Sequence, residues 1–151
     1  MVVTFCGHRE VQEPEKVQKW LYEAVAGLIR EGADCFYLGG YGQFDTMAAD
    51  VIRELKQECS HIRSVLVLPY LDREYDTSAY DESIYPPLEN VPNRYAISKR
   101  NEYMVDAADI VVAYVVYSFG GASKTLRYAE RKQKRIIRFN SLCYEMVIER
   151  K

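Results

Sequence analysis

Phe36-Tyr37-Leu38-Gly39-Gly40-Tyr41-Gly42-Gln43-Phe44-Asp45 decides the fold. An apolar, strand-like run ends in a double glycine and passes straight into a helix-like segment. The same event recurs downstream, where Val111-Val112-Ala113-Tyr114-Val115-Val116-Tyr117-Ser118-Phe119 runs into Gly120-Gly121-Ala122-Ser123-Lys124-Thr125. A strand that turns into a helix through glycines presents bare backbone N–H groups at a helix N-terminus, a geometry that binds anions and phosphates above all. Two such turns in one small chain predict a nucleotide-like ligand held from both sides.

The flanking segments fit an alternating α/β chain. Val2 to Cys6 reads as a buried strand ended by Gly7-His8-Arg9. Pro14 suits the first turn of a helix, whose apolar stripe is Val17, Trp20, Leu21, Ala24, Val25, Leu28 and Ile29, with Trp20 expected in the core and Gly32 as the stop. Cys35 to Leu38 is the second strand, Phe44 to Cys59 the second helix and Ser64 to Leu68 the third strand. A helix over 95–107, a strand over 109–116, a helix over 121–133 and a strand over 135–139 follow. The tail from Ser141 is a short helix or a strand. This order predicts one Rossmann-like domain over 1–151, a parallel sheet of about five strands in the order 3-2-1-4-5 with helices on both faces. Between the third strand and third helix, about 69–94 reads as an irregular Tyr/Pro-rich lid. It holds tyrosines at 70, 75, 80 and 85, and mostly acidic charges.

In such a sheet ligands sit beyond the carboxyl ends of the strands, at the switch point. The loops Gly7-His8-Arg9, Gly39-Gly40-Tyr41-Gly42 and Gly120-Gly121-Ala122-Ser123 then open onto one crevice. Candidate ligand-binding residues are therefore Gly7, His8, Arg9, Gly39, Gly40, Gly42, Asp45, Gly120, Gly121, Ser123, Lys124 and Thr125. Arg100 and Asn101 join them, because they share the helical stripe Ile97, Met104, Val105 and Ala108, and buried polar groups need partners. Asp45 suits a ribose hydroxyl or the helix dipole. Asp45 and Glu102 are weak catalytic candidates for glycosidic cleavage. Tyr41, Tyr117 and the lid tyrosines are candidates for stacking on a base.

The bulk numbers set limits. A net charge of -2 with 28% charged residues opposes a protein built to coat nucleic acid. Cys6, Cys35, Cys59 and Cys143 lack metal-ligand spacing, and Cys6 and Cys35 are expected as buried thiols. His8 and His61 lack ligand partners at useful spacing, so no metal is called for, and no cofactor is. Met1 leads directly into a strand and no apolar run spans a bilayer, so a cytoplasmic protein without membrane contact is expected.

Taken together, these residues resemble the SLOG superfamily, the Rossmann-like group that joins the DNA-processing protein DprA to the Lonely-guy phosphoribohydrolases. Residues 39–49 (GGYGQFDTMAA) resemble the GG-x-x-G-x-D-x-x-A stretch of DprA-type members. Arg100 to Asp109 followed by Gly120-Gly121 and Thr125 resembles the Lonely-guy pattern. With Gly7-His8-Arg9 added, the chain is most similar to a small bacterial and phage-type SLOG branch of uncharacterised function. The resemblance implies nucleotide binding and leaves a homo-oligomer open. It departs at one telling position, since Arg127 stands where Lonely-guy enzymes carry a catalytic Glu. A sensor or binding module for a nucleotide-derived ligand is therefore expected first. A phosphoribohydrolase or N-glycosidase acting on a nucleoside monophosphate is the alternative. Single-stranded DNA binding is a remote third, with nucleic acid an unlikely partner.

Overall fold

The computed structural model describes residues 1–140. The predicted tail and Cys143 lie outside the described residues. In chain order the elements are β1 (Val2–Gly7), α1 (Pro14–Arg30), β2 (Cys35–Leu38), α2 (Gln43–Lys56), β3 (Arg63–Val67), β4 (Glu82–Ile84), α3 (Asn93–Ala107), β5 (Ile110–Tyr114), α4 (Gly121–Arg131) and β6 (Arg135–Arg138). They form a six-stranded sheet in the order β4-β3-β2-β1-β5-β6. Every pairing is parallel, with Val3 opposite Phe36 and Phe5 opposite Val112 in the central register.

Parallel strands covered on both faces are apolar on both, which is why β5 reads as an unbroken apolar run and β1 as one broken only by Thr4, whose hydroxyl donates to Tyr37 O. On one face α1 and α2 pack together over Val3, Phe5, Phe36 and Leu38. On the other, α3 and α4 cover Cys6, Val111 and Ala113 through Val105, Leu126 and Ala129. The end of α1 follows its glycine signal. Gly32 takes φ +111°, Ala33 N–H donates to Leu28 O and Gly32 N–H to Ile29 O, which is the Schellman closure. Trp20 is only half-buried, resting edge-on against Phe139 with ring centroids 5.2 Å apart. Cys6 and Cys35 are buried thiols.

Two boundaries differ from the sequence expectation. The first lies in the lid, which is not wholly irregular. Glu82–Ile84 adds a sixth strand at the sheet edge against Val65–Val67. Its pattern (Glu82-Ser83-Ile84) has a single apolar residue, so no strand period shows. Polar clips register it instead. Asp81 Oδ2 accepts Ser64 N–H at 2.8 Å, Asp81 N–H donates to Ser64 Oγ at 3.1 Å, and Arg63 Nη1 donates to Glu82 at 2.8 Å. The second lies at the end of β5, which stops at Tyr114 although Val115 and Val116 are β-branched. Val116 N–H donates to His8 Nε2 at 2.9 Å, so the chain turns toward β1 at that point.

Candidate functional site

The loops after β1, β2 and β5 enclose, with one face of α3, a cavity of about 400 Å³. Gly7, His8, Arg9, Asp45, Arg100, Asn101, Gly120, Gly121 and Thr125 line it. Gly39, Gly40 and Gly42, expected at the ligand, do not line it: Gly39 backs Arg100 and Asp45, Gly42 backs Arg9, and Gly40 faces Leu66 and Tyr80. Ser123 is turned inward, its Oγ accepting Arg127 Nη1 at 2.8 Å, and Lys124 is exposed off the cavity. Glu102 also stands away, paired with Lys99 Nζ at 3.0 Å. The sequence reading did not single out Phe5 and Cys6 as wall residues. Ile97 and Met104 also line the cavity, so the stripe that carries Arg100 and Asn101 forms the wall as a unit.

The two glycine turns are built differently. Gly42 precedes α2 with φ +92° and Gly120 precedes α4 with φ +92°, backbone that favours glycine. Neither helix has a side-chain cap. At α4 the first backbone bond is Lys124 N–H to Gly120 O, which leaves the amides of the opening turn for a ligand or water. A Cβ on Gly121 would meet nothing within 4 Å, so no protein contact demands glycine at this point of the wall. At α2 the first helical amide and those just before the helix are already engaged. Gln43 N–H donates to Arg9 O at 2.8 Å, Tyr41 N–H to Asp45 Oδ2 at 3.3 Å, and the Gly39 amide also faces the Asp45 carboxylate. The side chain of α2 thus occupies its own turn.

Arg100 is 2% exposed and held by three bonds: Nη1 donates to Gly39 O at 3.0 Å and to Val67 O at 2.8 Å, and Nε to Asn101 Oδ1 at 2.9 Å. Desolvation lowers its pKa, which Asp45 opposes. Burial pushes the half-buried Asp45 carboxyl up to about 6, against the pull of the Tyr41 amide, Arg100 and the Gly39 amide. His8 is buried between rings, stacked on Tyr117 at 3.6 Å and edge-on to Tyr114 at 5.7 Å. Because Nε2 accepts the Val116 N–H, the neutral ring carries its proton on Nδ1, and burial lowers its pKa. Phe119 continues the stack beyond Tyr117 at 4.4 Å.

Of the tyrosines expected to stack on a base, Tyr41 and Tyr117 reach the cavity wall, whereas those at 70, 75, 80 and 85 do not. Tyr70 donates to Asn93 O at 3.1 Å and carries Arg73 on its ring, Tyr80 packs against the core, and the Tyr75 hydroxyl is buried without a partner among the described residues. Among the described residues no cluster of His, Cys, Asp and Glu is grouped to hold a metal ion, and no helix is long and apolar enough to cross a membrane.

This architecture is a Rossmann-like fold of the kind seen in DprA and in molybdenum cofactor binding proteins. Over 93% of its length the chain superposes on DNA processing protein A of Helicobacter pylori, described by its single-stranded DNA binding, with TM-score 0.65 and 18% identity. It superposes over 97% on the molybdenum cofactor binding protein of Rippkaea orientalis, with TM-score 0.63 and 20% identity, covering 81% of that chain. It spans only 66% of the Helicobacter chain and 56% of the Streptococcus pneumoniae DprA chain. Among curated sequences it is 28% identical over 131 residues to a UPF0398 protein of Halalkalibacterium halodurans, covering 78% of this chain and 69% of that protein. It is 26% identical over 139 residues to the SPbeta prophage-derived protein YoqJ of Bacillus subtilis, covering 77% and 81% respectively. No protein-family model matches the chain.

Proposed function

We propose that this chain is a binding module for a nucleotide or nucleotide-derived small molecule, held in the cavity at the carboxyl ends of β1, β2 and β5. One observation carries the reading. The uncapped N-terminus of α4, with Gly120 and Gly121, opens onto the same cavity as the buried cation Arg100 and the ring of His8. Amides at a helix start and a desolvated guanidinium together favour an anion. Binding without chemistry is favoured over the phosphoribohydrolase alternative because, among the described residues, Asp45 is the sole carboxylate on the wall. Arg127, at the position of the Lonely-guy Glu, spends its guanidinium on Ser118 O and Ser123 Oγ. The fold neighbours with a stated ligand are binders, of single-stranded DNA and of molybdenum cofactor.

The test is native mass spectrometry of the purified protein, followed by a thermal-shift panel of nucleotides. A ligand at about 100 times its Kd adds roughly 2.7 kcal/mol, a shift of several degrees for a chain of this size. A protein that carries no small molecule and shifts with no nucleotide overturns the reading. Release of free base from a bound nucleotide would restore the enzyme.

One observation favours single-stranded nucleic acid as a second reading, despite the net charge. Arg9 lies over Tyr41 at 5.0 Å, Arg73 over Tyr70 at 3.8 Å and Arg94 over Tyr95 at 4.8 Å, and none of the three is in an ion pair among the described residues. Arginine interleaved with aromatic rings suits phosphates and unstacked bases. Filter binding of oligonucleotides at low and high salt separates this reading from the first.

A further inference from the structure

α1 and α2 leave a groove of about 470 Å³ between them, on the face of the sheet opposite α3 and α4. Its floor is buried Val51 and half-buried Tyr22, which packs onto the core. Its rim carries Glu15, Glu23 and Glu54 against one cation, Lys19. All three carboxylates are exposed, and none is in an ion pair among the described residues. The other face of the sheet carries the complement. On α4 and its C-cap, Lys124, Arg127, Arg131 and Lys132 are exposed, and the one acid, Glu130, is paired with Arg138 at 3.3 Å. Arg127 is bonded to Ser118 O and Ser123 Oγ, and Lys132 stands 3.8 Å from Asp106. Lys124 and Arg131 pair with no carboxylate among the described residues. Tyr128 stands between these two on the same helical face, half-buried, its hydroxyl donating to Asp106 Oδ1 at 2.8 Å. The spacings match. Glu15 and Glu23 lie roughly 12 Å apart along the axis of α1, and Lys124 and Arg131 roughly 10 Å apart along α4.

We propose that the α1–α2 groove is a docking surface for α4 of a second copy of this chain, with Lys124 and Arg131 set against Glu15 and Glu23 and the Tyr128 ring over the floor of Tyr22 and Val51. Groove and helix lie on opposite faces of the sheet, so one two-fold contact cannot bring both pairs together. The contact is therefore head-to-tail, and it closes into a ring or extends as a chain. Exposed ion pairs are individually weak and screened by salt. The apolar floor supplies contact area, while the charges set register and choice of partner. A nucleic acid would engage α4 alone and would be repelled by the groove. A second copy uses both surfaces.

The test is sedimentation velocity at about 0.05 M and about 0.5 M salt on wild type, on Glu15→Lys/Glu23→Lys and on Lys124→Glu/Arg131→Glu. Wild type should sediment as dimers and larger species at low salt and as a monomer at high salt. Each double variant should be monomeric at both. A mixture of the two variants should form a one-to-one pair and grow no further, since it holds one intact groove and one intact helix. All four reversals in one chain should restore assembly. Monomeric wild type at low salt overturns the proposal, as does a mixture that stays monomeric or a double variant that assembles like wild type. A monomeric wild type whose oligonucleotide binding is lost in Lys124→Glu/Arg131→Glu assigns α4 to nucleic acid and overturns it too. Should a reversal fail to fold, Glu15→Gln/Glu23→Gln and Lys124→Gln/Arg131→Gln give the same comparison.

Discussion

Asp45 and Arg100 converge on the α-carbon of Gly39 without touching each other. A methyl group at Gly39 would stand 3.0 Å from Arg100 Cζ and 3.1 Å from Asp45 Oδ2, so a side chain here is opposed by what crowds it and not by the backbone dihedrals. Gly39→Ala should therefore push the guanidinium off its carbonyl partners, Gly39 O and Val67 O. Overpacking of this kind costs about 1–3 kcal/mol, and a urea melt measures it. Gly121→Ala is the contrast, because its Cβ enters open space at the cavity wall. Its stability should hold within about 0.5 kcal/mol while nucleotide affinity falls. Equal destabilisation of both variants would show that the turns differ less than their contacts indicate.

Asp45 makes stability depend on pH in an unusual direction for a carboxylate. Its folded value is raised from 3.8 to about 6, by burial first. Between about pH 4 and 6 the folded chain then holds a proton that the unfolded chain has released, so stability falls as pH rises through that window and is level above it. Asp45→Asn should remove this slope. Relative to wild type it should gain on the order of 1 kcal/mol at pH 7, after discounting for the partial exposure of the carboxyl. Urea melts from pH 4 to 7 on both proteins give the answer, and a slope that persists in Asp45→Asn assigns it to another group.

How much of this was legible in the sequence differs by element. The alternation of strands and helices was, because β1, β2 and β5 are apolar on both faces and α1 and α2 carry clear stripes. The polar pair Arg100 and Asn101 within the stripe of α3 lines the cavity, with Arg100 Nε donating to Asn101 Oδ1. The strand at Glu82–Ile84 was not legible, since its register comes from Asp81 and Ser64, a side-chain clip across the chain with no periodic signature. Nor was the inequality of the glycine turns. Both read as strand–GlyGly–helix, and only the folded backbone reveals that Asp45 curls back to accept the Tyr41 N–H of the preceding loop.

The clip itself is testable. Ser64 is 5% exposed and exchanges bonds with Asp81 in both directions, while Lys56 Nζ pairs with the other carboxylate oxygen of Asp81. Asp81→Ala leaves a part-buried amide and hydroxyl unsatisfied, at about 1–3 kcal/mol. The loss should be local. Hydrogen exchange should speed up across 69–92 and at Val65 to Val67, with little change in β1 and β5. Uniform acceleration across the sheet would mean that β4 is integral to the core rather than pinned to its edge.

His8 couples the cavity to the loop before α4. Its Nε2 accepts the Val116 N–H, and its ring stacks on Tyr117. The hydrogen bond requires the neutral ring, and burial holds its pKa below the ordinary imidazole value. The sign follows: with the folded pKa depressed, the stabilisation is present above the unfolded value near 6.5 and is lost progressively as pH falls below it. Protonation turns Nε2 into a donor facing another donor, which frees residues 116–119 and with them the approach to Gly120. Nucleotide affinity should therefore weaken as pH drops through that range, and the Val116 amide resonance should shift with the same midpoint as His8 in an NMR titration. His8→Phe keeps a ring against Tyr117 but lacks the acceptor, so it should flatten this component of the pH profile and lower affinity at pH 7. A midpoint for Val116 that does not track His8, or an unchanged profile in His8→Phe, would disconnect the histidine from the loop.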